Sequence, residues 1–287
     1  LPKTCITQKN FPIVIDSGKA FAAQLVGQEK VTCNGLTNGE ITIAAQNFGT
    51  AGFEYSINNG TTWSTALTTS PYTITNLAPN TYSVAIRPVG SAITACTKTF
   101  PPVTISEPAP IVVDATASPA TCSTGAKITT WVTGGTPAYQ YELRQVIAGV
   151  EAATPVVAFN NNPEFNDIDP GDYRIYVRDA NGCATTVGFP ITVTAPPVLT
   201  AALATTTDYC YTTANPARLD VEVTGGTEPF TYKLDGNAAV SSAATTYSFT
   251  NVAPGTHTIV VTDSNNCTAP ISSIVIAPQL GLTVSLL

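Results

Sequence analysis

One phrase occurs three times along this chain. In its fullest form it runs Asn166-Asp167-Ile168-Asp169-Pro170-Gly171-Asp172-Tyr173-Arg174-Ile175-Tyr176-Val177 and ends at Cys183. Its other copies are Asn76-Leu77-Ala78-Pro79-Asn80-Thr81-Tyr82-Ser83-Val84, reaching Cys96, and Asn251-Val252-Ala253-Pro254-Gly255-Thr256-His257-Thr258-Ile259, reaching Cys267. Each copy reads as a strand end, a Pro-containing turn and an alternating strand. In the fullest copy Tyr173, Ile175 and Val177 stand two apart, the period of a half-buried strand. The cysteines keep the same beat. Cys33, Cys122 and Cys210 lie 89 and 88 residues apart, and Cys5, Cys96, Cys183 and Cys267 lie 91, 87 and 84 apart. A period of that size exceeds any solenoid repeat and fits a tandem array of sandwich domains, which run to roughly 100 residues each.

The alternation and the abundance of Thr, Ser, Val, Gly and Pro predict an all-β chain of Ig-like or fibronectin-III-like β-sandwiches. Charged residues are only 11% and net charge is −7, with no basic patch, so nucleic acid and anionic membrane surfaces are excluded as partners. The apolar runs are too short for membrane insertion of this segment. With no Met and no leader pattern at Leu1, the sequence reads as an internal or processed piece of something longer.

The repeat divides the chain into residues 1–19, the end of a preceding repeat; full repeats at 20–108, 109–196 and 197–278; and 279–287, the first strand of a following one. Each full repeat opens with an extended segment and a cysteine, then an alternating strand with Ile41 and Ile43, Ile128 and Val132, or Leu219, Val221 and Val223 facing inward. A Gly-rich bend follows, Gly134-Gly135-Thr136-Pro137 in the second repeat and Gly225-Gly226-Thr227-Glu228-Pro229 in the third. Glycine there supplies positive φ and proline fixes the next strand's start. The next connector varies most. It holds the hairpin signal Asn58-Asn59-Gly60 in the first repeat and lengthens to about 20 residues, Arg144 to Pro163, in the second. That long connector is a binding loop or neutral length variation. Proline-rich junctions predict stiff linkers.

The seven cysteines suggest one bridge per repeat, Cys33–Cys96, Cys122–Cys183 and Cys210–Cys267, with Cys5 belonging to the truncated repeat. Each bridge would close about 60 residues, worth roughly 4 kcal/mol in the loop-entropy model, and implies an oxidising compartment. Unpaired buried cysteines are the alternative. Strand parity tests the pairing. With six strands the two cysteines of a repeat sit at one end of the sandwich, and the array is zigzag or coiled. If the variable connector forms an extra strand, they sit at opposite ends and an internal bridge becomes awkward. Metal-type CxxC spacing is absent.

The Gly-Gly-Thr-Xaa-Pro bend, the Pro-Gly-Xaa-Tyr turn and the Asp179-Ala180-Asn181-Gly182-Cys183 sequence resemble the SprB-type repeat of large surface adhesins in gliding bacteria. The second repeat carries these motifs most completely. The first has Asn80 for the turn glycine and Gly90-Ser91-Ala92-Ile93-Thr94-Ala95-Cys96 for the tight turn, and the third has His257 for tyrosine. The resemblance implies an extracellular location at the bacterial cell surface and an adhesive or stalk role without catalysis.

Few residues suggest chemistry. His257 aligns with Tyr82 and Tyr173, so it reads as a substitute for a tyrosine that pins the turn before it, and no nucleophile partner is evident. Asp167, Asp169 and Asp179 are candidate calcium ligands. The other repeats put Asn or Ala at the first two positions, so the alternative is ordinary turn residues. Trp131 lies out of phase with the inward residues of its strand and should face outward, and Trp63 lies in a variable connector. Either could stack on a polysaccharide or pack against a neighbouring loop. The expected partners are neighbouring repeats of one long chain and an extracellular ligand, without a cofactor. The rival expectation is a carbohydrate-binding module array of a secreted enzyme.

Overall fold

A computed structural model describes residues 19–91, 96–188 and 190–278. The expected fragments at residues 1–18, with Cys5, and at 279–287 lie outside these. The chain divides into two compact units, residues 1–110 and 111–287.

The first unit holds one sandwich. Strands β1 (Ala22–Glu29), β2 (Gly39–Gln46) and β4 (Tyr72–Leu77) form one sheet in the order β1-β2-β4. Opposite lie β3 (Phe53–Ser56), β6 (Ala85–Pro88) and β7 (Lys98–Thr99), with β5 (Asn80–Tyr82) paired to β8 (Val103–Ile105). Asn59 and Gly60 both take positive φ and close the expected Asn-Gly hairpin, with Ser64 N–H donating to the Tyr55 carbonyl.

The second unit holds two sandwiches. In the first of these, β9 (Val112–Ala117), β10 (Ala126–Thr133) and β14 (Glu164–Ile168) form one antiparallel sheet. The other sheet is built on β11 (Gln140–Ile147) and β15 (Gly171–Arg178). These carry β12 (Val150–Glu151) and β13 (Val157–Asn160) along β11, and β16 (Ala184–Thr186) and β17 (Ile191–Val193) along β15. The last sandwich repeats the plan. Strands β18 (Leu199–Leu203), β19 (Ala217–Gly225) and β22 (Thr246–Val252) face β20 (Phe230–Leu234), β21 (Val240–Ser242), β23 (Gly255–Thr262) and β24 (Thr268–Ile276).

Period-2 alternation sets the cores. Tyr173, Ile175 and Val177 are buried along β15, as are Ile41 and Ile43 on β2 and Leu219, Val221 and Val223 on β19. Three separate apolar clusters result, one per sandwich. A β-bulge recurs at the same place in each, shifting the register after Gly39, Ala126 and Ala217. The bulged residues Asn76, Asp167 and Asn251 all sit at φ between 55° and 61°. Asn and Asp tolerate that left-handed conformation. This accounts for the Asn/Asp exchange among the repeats and gives Asp167 a backbone role.

The six-strand expectation needs correction. The variable connectors form real strands, β13 in the second repeat, antiparallel to β11, and β21 in the third, antiparallel to β20. Arg144–Pro163 is therefore no free loop. It completes β11, turns at Ala148-Gly149 and returns as β12 and β13. With this extra reversal each of these two repeats has an odd number of passes. The chain enters at one end and leaves at the other, which removes the zigzag alternative for them.

Candidate functional site

The odd strand count decides the sulfur chemistry. The first cysteine of a repeat precedes its second strand, and the second cysteine follows the strand that carries the repeated phrase. Those points now lie at opposite ends of one sandwich, too far apart to bond. Cys122 instead bonds Cys267 of the next repeat, with a Cα–Cα distance of 4.9 Å and a sequence separation of 145. All three expected pairings are overturned. Cys122 and Cys267 are bonded to each other, not to Cys183 and Cys210, while Cys96 and Cys210 are free thiols. Cys33 and Cys183 are themselves disulfide-bonded, so Cys33–Cys96 fails because Cys96 is reduced.

Hydrogen bonds reinforce this junction. Cys122 N–H donates to the Asn265 carbonyl at 3.0 Å, and Asn266 Nδ2 donates to Ser123 Oγ at 3.2 Å. A shallow groove beside the bridge is lined by Pro196, Pro197, Val198, Leu199, Asn266 and Thr268.

The turn that presents Cys267 is held by a buried carboxylate. Asp263 Oδ1 accepts from the N–H groups of Asn265 and Cys267 at 2.9 and 2.8 Å, and Oδ2 accepts from Thr227 N–H at 3.0 Å. The second repeat has the same bracket. Asp179 accepts from Asn181 and Cys183 at 2.9 Å each and from Thr136 at 2.8 Å. Each aspartate thus ties the cysteine turn to the Gly-Gly-Thr bend more than thirty residues earlier. The bend must come very close. A Cβ on Gly135 would lie 3.0 Å from Asp179 Oδ2 and 2.6 Å from Ile111 Cγ1, and φ there is +61°. Glycine is required on both grounds.

This bracket gives Asp179 a structural role, because its two oxygens accept three backbone N–H bonds. Asp167 is the bulge residue, and Asp169 contributes its backbone carbonyl, which accepts from the Tyr173 hydroxyl at 2.8 Å. The three aspartates do not converge, and no metal-type cluster occurs among the described residues.

Tyr173 pins its turn, Tyr82 does the same through the Ala78 carbonyl at 2.9 Å, and His257 substitutes as the alignment predicts. His257 Nε2 lies 2.8 Å from the Ala253 carbonyl oxygen and Nδ1 lies 2.8 Å from Asp235 Oδ2. Both partners are acceptors, so the imidazolium fits best. The hydrogen bond to Asp235 raises the His257 pKa above its ordinary value. Burial pushes Asp235 up, but the bonds from His257 and from Thr258 N–H outweigh it and leave its pKa lowered.

The tryptophans stand in different repeats and on different elements. Trp131 is 52% exposed and faces outward from β10, as its phase predicts. Trp63 is half-buried, with the Arg87 guanidinium 3.8 Å above its ring and Arg87 in turn bonded to Glu54 at 2.6 Å. That ring face is already occupied by a cation. The sequence reading missed the junction and the bracket. The signal for the bracket was internal: Gly-Gly-Thr and Asp-Xaa-Asn-Xaa-Cys occur together in the second and third repeats, and both are missing from the first.

A family model described as the SprB repeat matches residues 28–62. The chain therefore carries SprB-type repeat sequence. The match falls in the first repeat, although the turn motifs are fuller in the second. Among solved structures, the chain is similar to three N-terminal domains of the Hoc outer capsid protein of bacteriophage RB49. Identity is 10% and the TM-score 0.39, over 88% of this chain and 97% of that one. It is also similar to immunoglobulin domains 1–5 of Sidekick-1, at 15% identity and TM-score 0.33, over 89% of this chain and 60% of that one. Fibronectin(III)-like modules of Clostridium thermocellum CbhA match at 13% identity and TM-score 0.29, over 56% of this chain and 90% of theirs. No curated protein matches.

Proposed function

We propose that this chain is a non-catalytic stalk segment of a very large bacterial cell-surface adhesin. Its mechanism is mechanical: consecutive sandwiches hold a binding region away from the cell and carry force during attachment or gliding. The observation that carries this reading is the junction between the second and third repeats, where a disulfide and two hydrogen bonds fix one sandwich to the next. A domain pair built only to bind independent ligands has no need of such a clamp. The SprB-type sequence at residues 28–62 supports the same reading, and the disulfides fit an extracellular, oxidising location. Its partners are neighbouring repeats, and it works without a cofactor.

The test combines antibody labelling of unpermeabilised source cells with affinity electrophoresis of the purified chain in a panel of polysaccharides. Surface labelling that protease removes, without polysaccharide retardation, is the expected result. Labelling only after permeabilisation would overturn the location. Retardation abolished by Trp131→Ala would replace the stalk reading with the carbohydrate-binding one.

A further inference from the structure

The two cysteines of a repeat stand at opposite ends of it, each where the chain crosses to a neighbour. The first cysteine lies at the exit. Ala120, two residues before Cys122, donates its N–H to the Thr194 carbonyl at 3.1 Å, just ahead of Ala195-Pro196-Pro197. Cys210 itself bridges to Ala277, the last residue before Pro278. The second cysteine lies at the entrance. Its turn is bracketed to the Gly-Gly-Thr bend, and that bend meets the opening residues of the repeat, Gly226 N–H donating to the Val198 carbonyl at 3.2 Å. Exit therefore faces entrance at the junction between the second and third repeats, and Cys122 bonds Cys267. We propose that Cys210 is the docking thiol for a further repeat, and that its partner is the second cysteine, on the turn after the repeated phrase, of the repeat that follows the third.

The bonding state of the cysteines supports this independently. Cys33 and Cys122 are the first cysteines of repeats that another full repeat follows, and both are disulfide-bonded. Cys183 and Cys267 are the second cysteines of repeats that another full repeat precedes, and both are disulfide-bonded. The free thiols among the described residues are Cys96, the second cysteine of the first repeat, and Cys210, the first cysteine of the third. Cys210 is exposed, and its loop is tied down. Its N–H donates to Asp208 Oδ1 at 2.9 Å, and Asp208 and Arg218 exchange backbone hydrogen bonds of 2.8 and 3.0 Å. A turn of the Cys267 kind presents its sulfur with equal definition, since a buried carboxylate holds three N–H groups around it. Closing the bond needs a disulfide donor. One cysteine thiolate displaces a thiolate from the donor to give a mixed disulfide, and the second cysteine thiolate displaces the other half. Net, the two cysteines lose two protons and two electrons, and the donor becomes two thiols. The inference rests on the stalk reading, because it requires an array that continues past the third repeat.

The experiment extends the full chain by one repeat. Residues 109–196 are copied again after Pro278, and the original and extended proteins are oxidised with glutathione disulfide, alkylated without reductant and mapped. In the original chain Cys210 should be alkylated. In the extended chain that label should disappear, and Cys210 should be recovered joined to the Cys183 of the added copy. Cys183→Ser in the added copy alone should restore the label. A Cys210 that stays alkylated beside a folded added repeat overturns the proposal, as does a Cys210–Cys210 bond between chains. An extra calorimetric transition reports that the added repeat has folded. If it has not, Cys210 is mapped in the protein isolated from its source cells under alkylating conditions. There a bond to the second cysteine of a following repeat supports the proposal, and a free Cys210, or one joined to any other cysteine, overturns it. A bond of the expected kind together with labelling only after permeabilisation keeps the stitch between repeats and rejects the surface stalk.

Discussion

Removing the Asp179 carboxylate should unfasten the cysteine turn from the Gly-Gly-Thr bend and cost the second repeat much of its stability. Asp179 is 5% exposed and accepts three backbone N–H bonds of 2.8 to 2.9 Å. A hydrogen bond to a charged group contributes roughly 1.5–3 kcal/mol net. The three donors lie near the surface, where water can partly replace the lost acceptor, so about 1 kcal/mol each is the sounder figure. Asp179→Ala should then cost about 3 kcal/mol. Asp179→Asn keeps the oxygen that serves Asn181 and Cys183 but turns an amide N–H₂ toward Thr136 N–H. It should cost about 2 kcal/mol, the loss of one bond plus a donor–donor clash. A domain of this size loses about 4–8 °C of Tm per kcal/mol, so the alanine variant should lower one transition by about 12–24 °C. Differential scanning calorimetry of the full chain reads the shift. Hydrogen exchange at Thr136, Asn181 and Cys183 identifies the repeat. A shift under about 3 °C, or unchanged exchange at Thr136, would refute the bracket as a structural element.

Two further outcomes follow from the same geometry. His257 has a raised pKa, so its contribution is complete below the unfolded histidine value near 6.5 and is lost as pH rises through the folded value. Asp235 has a lowered pKa, so its contribution is present above the unfolded carboxylate value and is lost as pH falls. The urea midpoint of the third repeat should therefore decline as pH rises above about 6.5. His257→Tyr should abolish that decline; an equal decline in both proteins would show that His257 is not its source. For the cysteines, alkylation without reductant followed by peptide mapping should mark Cys96 and Cys210 and recover a Cys122–Cys267 cross-link. Recovery of Cys122–Cys183 or Cys210–Cys267 would reject the odd number of passes.

What could be read in the sequence was whatever depends on neighbours in the chain. Alternation placed Tyr173, Ile175 and Val177 inside, the Asn58-Asn59-Gly60 signal made its hairpin, and the alignment of His257 with Tyr82 and Tyr173 foretold a shared pinning role. What escaped depends on distant segments. The choice of cysteine partner hung on whether Val157–Asn160 and Val240–Ser242 would pair, and strands of four and three residues carry almost no periodic signal. One short strand reverses the direction of everything after it, and with it the end of the sandwich at which the second cysteine emerges. The bracket role of Asp179 escaped for a related reason. A carboxylate in a turn looks the same in sequence whether its oxygens meet a cation or three N–H groups, and the Thr136 donor comes from a bend far upstream.

The junction has a consequence in terms of symmetry. The surface around Cys122 and the surface around Cys267 are different patches at opposite poles of a repeat, so their contact is heterologous and cannot pair a patch with itself. A contact of that kind has a direction and does not complete itself after two members. A contact that uses one pole of each sandwich does not use up the other pole of either.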